Sequence, residues 1–301
     1  MSAAPRALFV GHTYIDVTVL ADHWPTGDEK AVARDYAVSF GGNAVTAAFA
    51  YARLQGAPDL ITTAAPDAFG ELFTGMARRH GVTLHERPVA RSSLSFIMPN
   101  AGKRAIVRAR DDAHLAGFPE LDISPYRALH LDGHQPDAAL HYARECRARG
   151  ILTSLDGGGL RSNTEELLDY IDVAVCAERL CEQLNLSAEG LLALLRAHGC
   201  RIGAVTQGER GMLWYDEQGV MSRLPALDVP PELVIDTSGA GDVFHGAYVW
   251  SYAARPTLGW AEHFRYARAA SAYKIQHLGN EAGLPAQIDV SDTLARFGER
   301  R

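Results

Sequence analysis

The feature that most constrains this chain is a repeated hand-over from short apolar runs to amphipathic helical stretches. "ALFVG" (Ala7 to Gly11) reads as a buried strand. "NAVTAAFAYARLQG" (Asn43 to Gly56) is alanine-rich and stops at a glycine, the pattern of a helix with a C-terminal cap. "DAFGELFTGMARRHG" (Asp67 to Gly81) repeats it. Further on, "ALHLDG", "ILTSLDG", "DVAVCA" and "IGAVTQG" read as strands. Helices stand between them: "PDAALHYARECRARG", opened by Pro136 and closed by Gly150, "SNTEELLDY", with Ser162 and Glu165 as a capping box, and "SAEGLLALLRAHG". Such alternation predicts an α/β fold, a central mostly parallel sheet flanked by helices on both faces. Ligands on such sheets bind at the carboxyl ends of the strands.

Two regions break the rhythm. "DVTVLADHWPTGDEKAVARDYAVSF" (Asp16 to Phe40) and "SSLSFIMPNAGKRAIVRAR" (Ser92 to Arg110) read as short antiparallel strands with no helix to cover them. In the second, "NAG" has the composition of a hairpin turn. Together they predict a small β-sheet inserted in a single domain spanning 1–301 and built from segments of about 12–40 and 92–112. Beside strand ends, such a flap is placed to act as a lid. Extra edge strands of the main sheet are the alternative.

Charge and composition narrow the partners. Lys and Arg total 29 against 36 Asp and Glu, a net charge of −7, which argues against a nucleic-acid surface. No apolar run approaches the roughly 20 residues that span a bilayer. The start, "MSAAPRALFVGHTYIDV", lacks the regions of a signal peptide, so a cytoplasmic location is expected. Cys146, Cys176, Cys181 and Cys200 show no C-x-x-C spacing and read as reduced, buried thiols rather than a zinc site.

The stretch "DTSGAGDVFHGAYVWSYA" (Asp236 to Ala253) carries the most chemistry. The preceding "ELVI" is strand-like and the residues after Asp242 have helical apolar spacing, so Gly239, Ala240 and Gly241 fall where strand turns into helix. Small residues there let backbone N–H groups approach a ligand, and the helix N-terminus adds positive potential, which together make an anion hole. Asp242 in the first turn has two readings. It is a helix-capping carboxylate, or it is a base that takes the proton of a hydroxyl attacking a phosphoryl group held by the same loop.

"DTSGAGDVFHGA" resembles the C-terminal signature of the PfkB/ribokinase family of carbohydrate kinases, and "FGGNAVTAAFAYARLQGA" resembles that family's N-terminal signature. They stand in the family's order, about 200 residues apart, and "VTQGERG" (Val205 to Gly211) resembles its nucleotide-side strand and turn. The resemblance covers essentially the whole chain. It implies a ribokinase-like fold with a β-lid, ATP as donor and a divalent metal, usually Mg2+. It implies Asp242 as catalytic base and Gly239, Ala240 and Gly241 as anion hole. Asp16 is implied as the acid that binds sugar hydroxyls, with Gly42 and Asn43 as sugar contacts. Asn43 also has a plain structural reading, the N-cap of its helix. Thr206, Gln207, Gly208 and Gly211 are implied at the nucleotide. "ASAYKIQHLGNEAGLP", with Gly279 and Gly283 as its tight turns, is implied to wall the adenine and, in many members, to help form a monovalent-cation site for K+. The family's Asn-x-x-Glu motif is broken here. In "CAERLCEQL" Glu178 remains as the candidate metal ligand.

Within the family the pattern resembles most the ketohexokinase and sulfofructose kinase branch, which implies a ketohexose or an anionic ketose as acceptor. Lys30 corresponds to a lysine near the sulfonate in the sulfofructose kinases, and His134 stands where they carry an arginine. Arg108 and Arg110, two apart on one strand, share a face and can meet an anionic substituent. The alternatives are a kinase for a sugar phosphate, 2-keto-3-deoxygluconate or a nucleoside, and a non-catalytic sugar-sensing relative. A nicotinamide oxidoreductase is set aside, since "VGHTYID" lacks G-x-G-x-x-G. Lids in this fold often pair into homodimers, so Val17, Val19, Phe96 and Met98 are candidates for a subunit contact.

Overall fold

The computed structural model describes residues 4–100 and 103–300. The chain opens with β1 (Arg6–Val10), β2 (Tyr14–Leu20), β3 (Asp35–Gly41), α1 (Asn43–Arg53), β4 (Ala57–Ala64), α2 (Ala68–His80), β5 (Thr83–Pro88), β6 (Leu94–Asn100) and β7 (Lys103–Ala109). The middle holds β8 (Ala128–Leu131), α3 (Pro136–Ala148), β9 (Leu152–Gly157), α4 (Thr164–Leu168), β10 (Val173–Ala177), α5 (Glu178–Leu184) and α6 (Ala188–Ala197). It ends with β11 (Ile202–Thr206), β12 (Met212–Tyr215), β13 (Met221–Leu224), α7 (Ala240–Ala254), α8 (Trp260–Lys274) and α9 (Gln287–Arg296).

Nine strands form one sheet in the order β13-β12-β11-β10-β9-β8-β1-β4-β5. Every pairing from β11 to β5 is parallel, and only the β11–β12 and β12–β13 pairings at one edge are antiparallel. Successive side chains of a strand face opposite ways, so each strand feeds two cores. Ala7 and Phe9 of β1 join one buried cluster, and Leu8 and Val10 join the other. Val173 and Val175 of β10 likewise oppose Ala174 and Cys176. Helices α1, α7 and α8 cover the first face, and α3 and α6 the second. After β1 the chain adds strands first on its β4 side and later on its β8 side. The reversal makes a crevice beyond the ends of β1 and β8, where open α/β sheets bind ligands.

Helix α7 is buried almost all round, from Val243 to Ser251. It crosses α1 so closely that a side chain at Gly246 would overlap the Ala47 carbonyl. That contact and the alanines of α1 fix where α7 begins, and hence where Asp242 stands.

A second sheet, in the order β3-β2-β6-β7, is built from two separated segments. Its hairpins β2–β3 and β6–β7 are antiparallel, but they join through a parallel β2–β6 pairing, where the sequence pattern predicts antiparallel strands alone. The turn of the "NAG" hairpin lies outside the described residues. One face carries Asp16, Thr18, Ser39 and Ser95, all buried. The other is apolar and open, with Tyr36 70%, Phe96 44% and Val107 54% exposed. Met98, on that same face, is buried.

Other local expectations give way to tertiary contacts. Helix α1 ends with Gln55, not Gly56, in the left-handed region (φ 73°), and Gly56 is instead needed because a side chain there would run into the Tyr51 ring. Gly42, not Asn43, is the N-cap of α1. The Ser162–Glu165 capping box does not form: Asn163 is the N-cap of α4 and makes no capping hydrogen bond. "ELVI" is no strand, because Pro231–Leu233 form a 3-10 turn and the chain then runs irregularly into the 236–239 loop. All four cysteines are free and buried. No described helix is long and apolar enough to cross a membrane.

Candidate active site

The site grows from the N-terminus of α7. Gly239, its N-cap, takes the left-handed conformation (φ 72°), which glycine adopts without strain. The Asp236 carboxylate braces the turn by accepting the Ser238 N–H at 2.8 Å. First-turn N–H groups of a helix have no intrahelical acceptor and point outward from its positive end. Gly241 is exposed and open space surrounds it. Asp242 follows, half-buried, and its side chain makes no hydrogen bond among the described residues. A carboxylate that neither caps its helix nor pairs with a cation is free for chemistry. Burial lifts its pKa well above the usual carboxylate range, the negative charges of Asp156 and Asp16 add to the rise, and Arg104 and Arg108 oppose it.

Opposite stands Asp16, in the middle of β2 and 6% exposed. Its Oδ2 accepts from Asn280 Nδ2 at 3.2 Å, and its Oδ1 is buried without a partner. Burial raises its pKa to about 6. Gly41, paired with Tyr14 and diagonal to Asp16 on the neighbouring strand, has no room for a side chain, since a Cβ there would collide with the Asp16 carboxylate. Gly42 (φ 103°) passes so close to the His12 carbonyl that a Cβ would overlap it. Asn43 begins α1 and donates its Nδ2 to Asp156 Oδ2 at 2.9 Å. Asp156 ends β9, buried, with His245 Nε2 at 3.5 Å from its Oδ1.

The far wall lies at the β1–β8 crevice. Asp132 accepts from the backbone N–H groups of Ala44 (3.2 Å) and His134 (3.0 Å). His134 is buried with its Nδ1 unpartnered, and its ring leans on His12 (centroids 5.9 Å) and Tyr14 (6.5 Å). Burial, then Arg161, Arg110 and Arg108, push its pKa down to about 2, so it stays neutral. Arg108 sits over the Tyr14 ring at 5.0 Å, Arg110 pairs with Asp112 at 2.9 Å, and Arg161 Nε donates to the Asp132 carbonyl at 2.7 Å. Lys30 lies on the exposed connection between β2 and β3, without an ion pair among the described residues.

The residues marked for the nucleotide gather elsewhere, at the ends of β10 and β11. Thr206 Oγ1 donates to the Cys176 carbonyl (3.3 Å), and Gln207 Nε2 donates to Glu178 Oε1 (3.3 Å). Glu178 also pairs with Arg210, whose guanidinium holds its pKa below the usual range. Gly208 opens a 3-10 turn, and Gly211 (φ 84°) passes the Leu224 carbonyl where a side chain would overlap it. Gly279 (φ 74°) donates its N–H to Asp236 Oδ2 at 3.0 Å. Gly283 has no left-handed backbone, and its missing side chain instead leaves room for Lys274.

Asp132, Asp156, Asn280 and Lys274 are additions the sequence reading missed. "SLDGGG", a strand ending in a carboxylate before glycines, and a lysine inside "AASAYKIQ" were the available signals.

Comparison with known proteins places nearly the whole chain in one family and one fold. The family model for pfkB family carbohydrate kinases matches residues 4–287. The ribokinase of Lactococcus lactis is 25% identical over 302 residues, covering 95% of each chain. The structure of a putative ribokinase from Agrobacterium tumefaciens superposes with a TM-score of 0.88 at 25% identity, over 97% of this chain and 98% of that one. An Arabidopsis thaliana ribokinase solved with ribose and ATP has the same fold, with a TM-score of 0.78 at 23% identity over 99% and 100% of the two chains. Fold and site together define an ATP-binding phosphotransferase with a ribokinase-like α/β architecture. The chain belongs to the pfkB family of carbohydrate kinases.

Proposed function

We propose that this protein transfers the γ-phosphoryl group of ATP to a hydroxyl of a small sugar, a ketohexose or an anionic ketose such as sulfofructose. The observation that carries the reading is the free Asp242 carboxylate in the first turn of α7, beside the left-handed Gly239. In this reading the N–H groups around Gly239, Ala240 and Gly241 hold the moving phosphoryl group. Asp242 accepts the proton of the attacking hydroxyl, and its raised pKa makes it a stronger base. Asp16 accepts protons from acceptor hydroxyls, as its unpartnered Oδ1 is placed to do. Asn43 and Gly42 line the same edge. The second sheet is the lid formed by about 12–40 and 92–112: its polar face carries Asp16, and Arg104 and Arg108 of β7 act on Asp242. Closing it would exclude water from the phosphoryl group. Thr206, Gln207, Gly208, Gly211 and Gly279 line the nucleotide's path.

Magnesium, carried on the nucleotide phosphates, supplies charge neutralisation when bound. Glu178 is committed to Arg210 and Gln207, and no cluster of three metal-ligating side chains occurs among the described residues. Among the described residues the side chains make no cage for it, so the nucleotide phosphates and water would hold it.

An anionic acceptor is favoured by one further observation. Arg161 from the core and Arg110 and Arg108 from the lid side all act on the neutral His134 at the far wall. Guanidinium groups from both bodies suit a sulfonate, phosphate or carboxylate. We also propose that the open apolar face of the lid, with Tyr36, Phe96 and Val107 exposed and Val17 and Val19 beside them, pairs in a homodimer, and that the reaction runs in the cytoplasm.

The test is Asp242→Asn, assayed with a panel of ketoses, anionic ketoses, 2-keto-3-deoxygluconate, sugar phosphates and nucleosides. It is expected to fold and to bind acceptor and ATP while turnover falls about a hundredfold or more. Near-normal turnover removes Asp242 from the chemistry, and binding of a sugar without turnover by the native protein supports a sensor instead.

A further inference from the structure

The resemblance implies a monovalent-cation site beside the anion hole, but the atoms of that region do not fit an added ion. Lys274, the last residue of α8, is fully buried and reaches into the loop that leads to Gly239. Its Nζ donates to the Asp236 carbonyl (3.1 Å), to Asp236 Oδ2 (3.0 Å) and to the His277 carbonyl (3.3 Å). An ammonium has three donors and no acceptor, so three oxygens satisfy it completely. The oxygens come from two chain segments, one running into the anion hole and one leaving α8. Two carbonyls and a carboxylate are the hard-oxygen set that a small cation would select.

Gly283 leaves the room that this side chain fills, and Gly239 packs beside it. A Cβ on Gly283 would lie 2.9 Å from Lys274 Cγ and 3.1 Å from its Cδ and Cε. A Cβ on Gly239, the N-cap of α7, would overlap Asn280 Oδ1 at 2.2 Å, with Lys274 Cε in ordinary contact beside it at 3.7 Å. Asp236 ties the same parts together, with Oδ1 accepting the Ser238 N–H and Oδ2 accepting the Gly279 N–H. Burial draws the lysine's pKa down, while the Asp236 carboxylate, and Asp242 beyond it, draw it back up.

We infer that Lys274 is the resident cation of this protein: its ammonium fills the oxygen cage behind the anion hole, fixes the 236–239 turn, and leaves the enzyme independent of K+. Lys274 is thus a positioning residue that acts through Gly239 and its neighbours. The part concerning turnover rests on the kinase reading, whereas the part concerning the cage does not.

The experiment compares thermal midpoint and turnover in choline, sodium, potassium and ammonium chloride at fixed ionic strength. For the native protein both readouts are expected to be the same in all four salts. Activation by K+ of severalfold, or a midpoint raised by K+ over choline, overturns the inference. Lys274→Ala is expected to lose about a hundredfold in turnover in choline and to show a lower midpoint. Potassium or ammonium should recover both in part by entering the vacated cage. A variant impaired equally in all salts also overturns it, because the oxygens then form no cation site. If the variant does not fold, the native salt series still decides. The midpoints need no acceptor, so a salt pattern as expected alongside absent turnover points to failure of the kinase reading alone.

Discussion

Asp16→Asn separates what this carboxylate does for function from what it does to the fold. Asp16 is 6% exposed, and burial, with repulsion from Asp236, raises its pKa from 3.8 to about 6 against the pull of the Ser95 hydroxyl, the attraction of Arg108 and the hydrogen bond from Asn280. A displacement of that size is worth about 3 kcal/mol. The folded state holds the proton more tightly than the unfolded chain does. The contribution to stability is therefore complete below about pH 3.8 and is lost as pH rises through about 6. At pH 8 the native protein carries a desolvated charge that an amide would not. The substitution is nearly isosteric, and the amide oxygen of the variant can keep the hydrogen bond from Asn280 Nδ2. The variant should therefore be more stable than the native protein at pH 8 by up to about 3 kcal/mol, which at about 2 °C per kcal/mol for a chain of this length raises the midpoint by about 6 °C. The gap should close as pH falls toward 4. Thermal scans at pH 8, 6 and 4 in the absence of ligand read this directly. The same variant should lose the midpoint increase that a saturating acceptor gives the native protein, about 2.7 kcal/mol at one hundred times Kd. A variant less stable than the native protein at pH 8, or a gap that ignores pH, would mean that the carboxylate is not held against its own solvation, and the electrostatic account of the acceptor site would fail.

The remaining expectations concern backbone, pairing and assembly. Gly42→Ala places a Cβ at φ 103° against the His12 carbonyl, so chemical denaturation should show a loss of at least about 2 kcal/mol. Asn43→Ala strands the buried Asp156 carboxylate and should cost about 1–3 kcal/mol. Adding Asp156→Asn should give back part of that loss, and full additivity of the two changes would show that the pair is uncoupled. Phe96→Lys combined with Val107→Lys should convert the proposed lid dimer to monomer in sedimentation velocity, and a native protein that sediments as a monomer at micromolar concentration would dispose of that contact.

Where the sequence pattern and the structure agree, the reason is local. The strands of the main sheet are legible because both faces are covered, so they read as unbroken apolar runs, and Gly81 and Gly150 end their helices in the left-handed conformation as their position predicts. The site's glycine-framed aspartate is legible because its loop geometry is written in consecutive residues. Where they disagree, the deciding contact is remote. The ring that makes Gly56 obligatory belongs to Tyr51, one turn of helix earlier, and so the strained role passes to Gln55. Asn280 reaches Asp16 across 264 residues, and Asn43 reaches Asp156 across 113. No window of local periodicity contains such pairs. Lys274 is the sharpest case: read locally it is one cation near the end of a helix, where cations are common, and only the fold turns it inward onto Asp236.

These remote pairs share one electrostatic logic. Asp16, Asp156 and Asp242 are gathered in one crevice, and each is raised in pKa chiefly by burial. Like charges held together without water oppose folding, so the arrangement persists only where something offsets it. Asn43 and Asn280 do so by donating to two of the three carboxylates. Arg104 and Arg108 do so through the field they place on Asp242, and both stand on β7, in the second sheet. The offset therefore depends on that sheet's position over the crevice. If the sheet moves as a lid, closure delivers positive charge to the base and to the phosphoryl group together, and opening withdraws it. A base tuned this way would hold a proton more tightly when the site is open and would be kept ionised, ready to accept the hydroxyl proton, when the arginines close over substrate. Shortening Arg104 should then reduce kcat more than it raises KM for the acceptor.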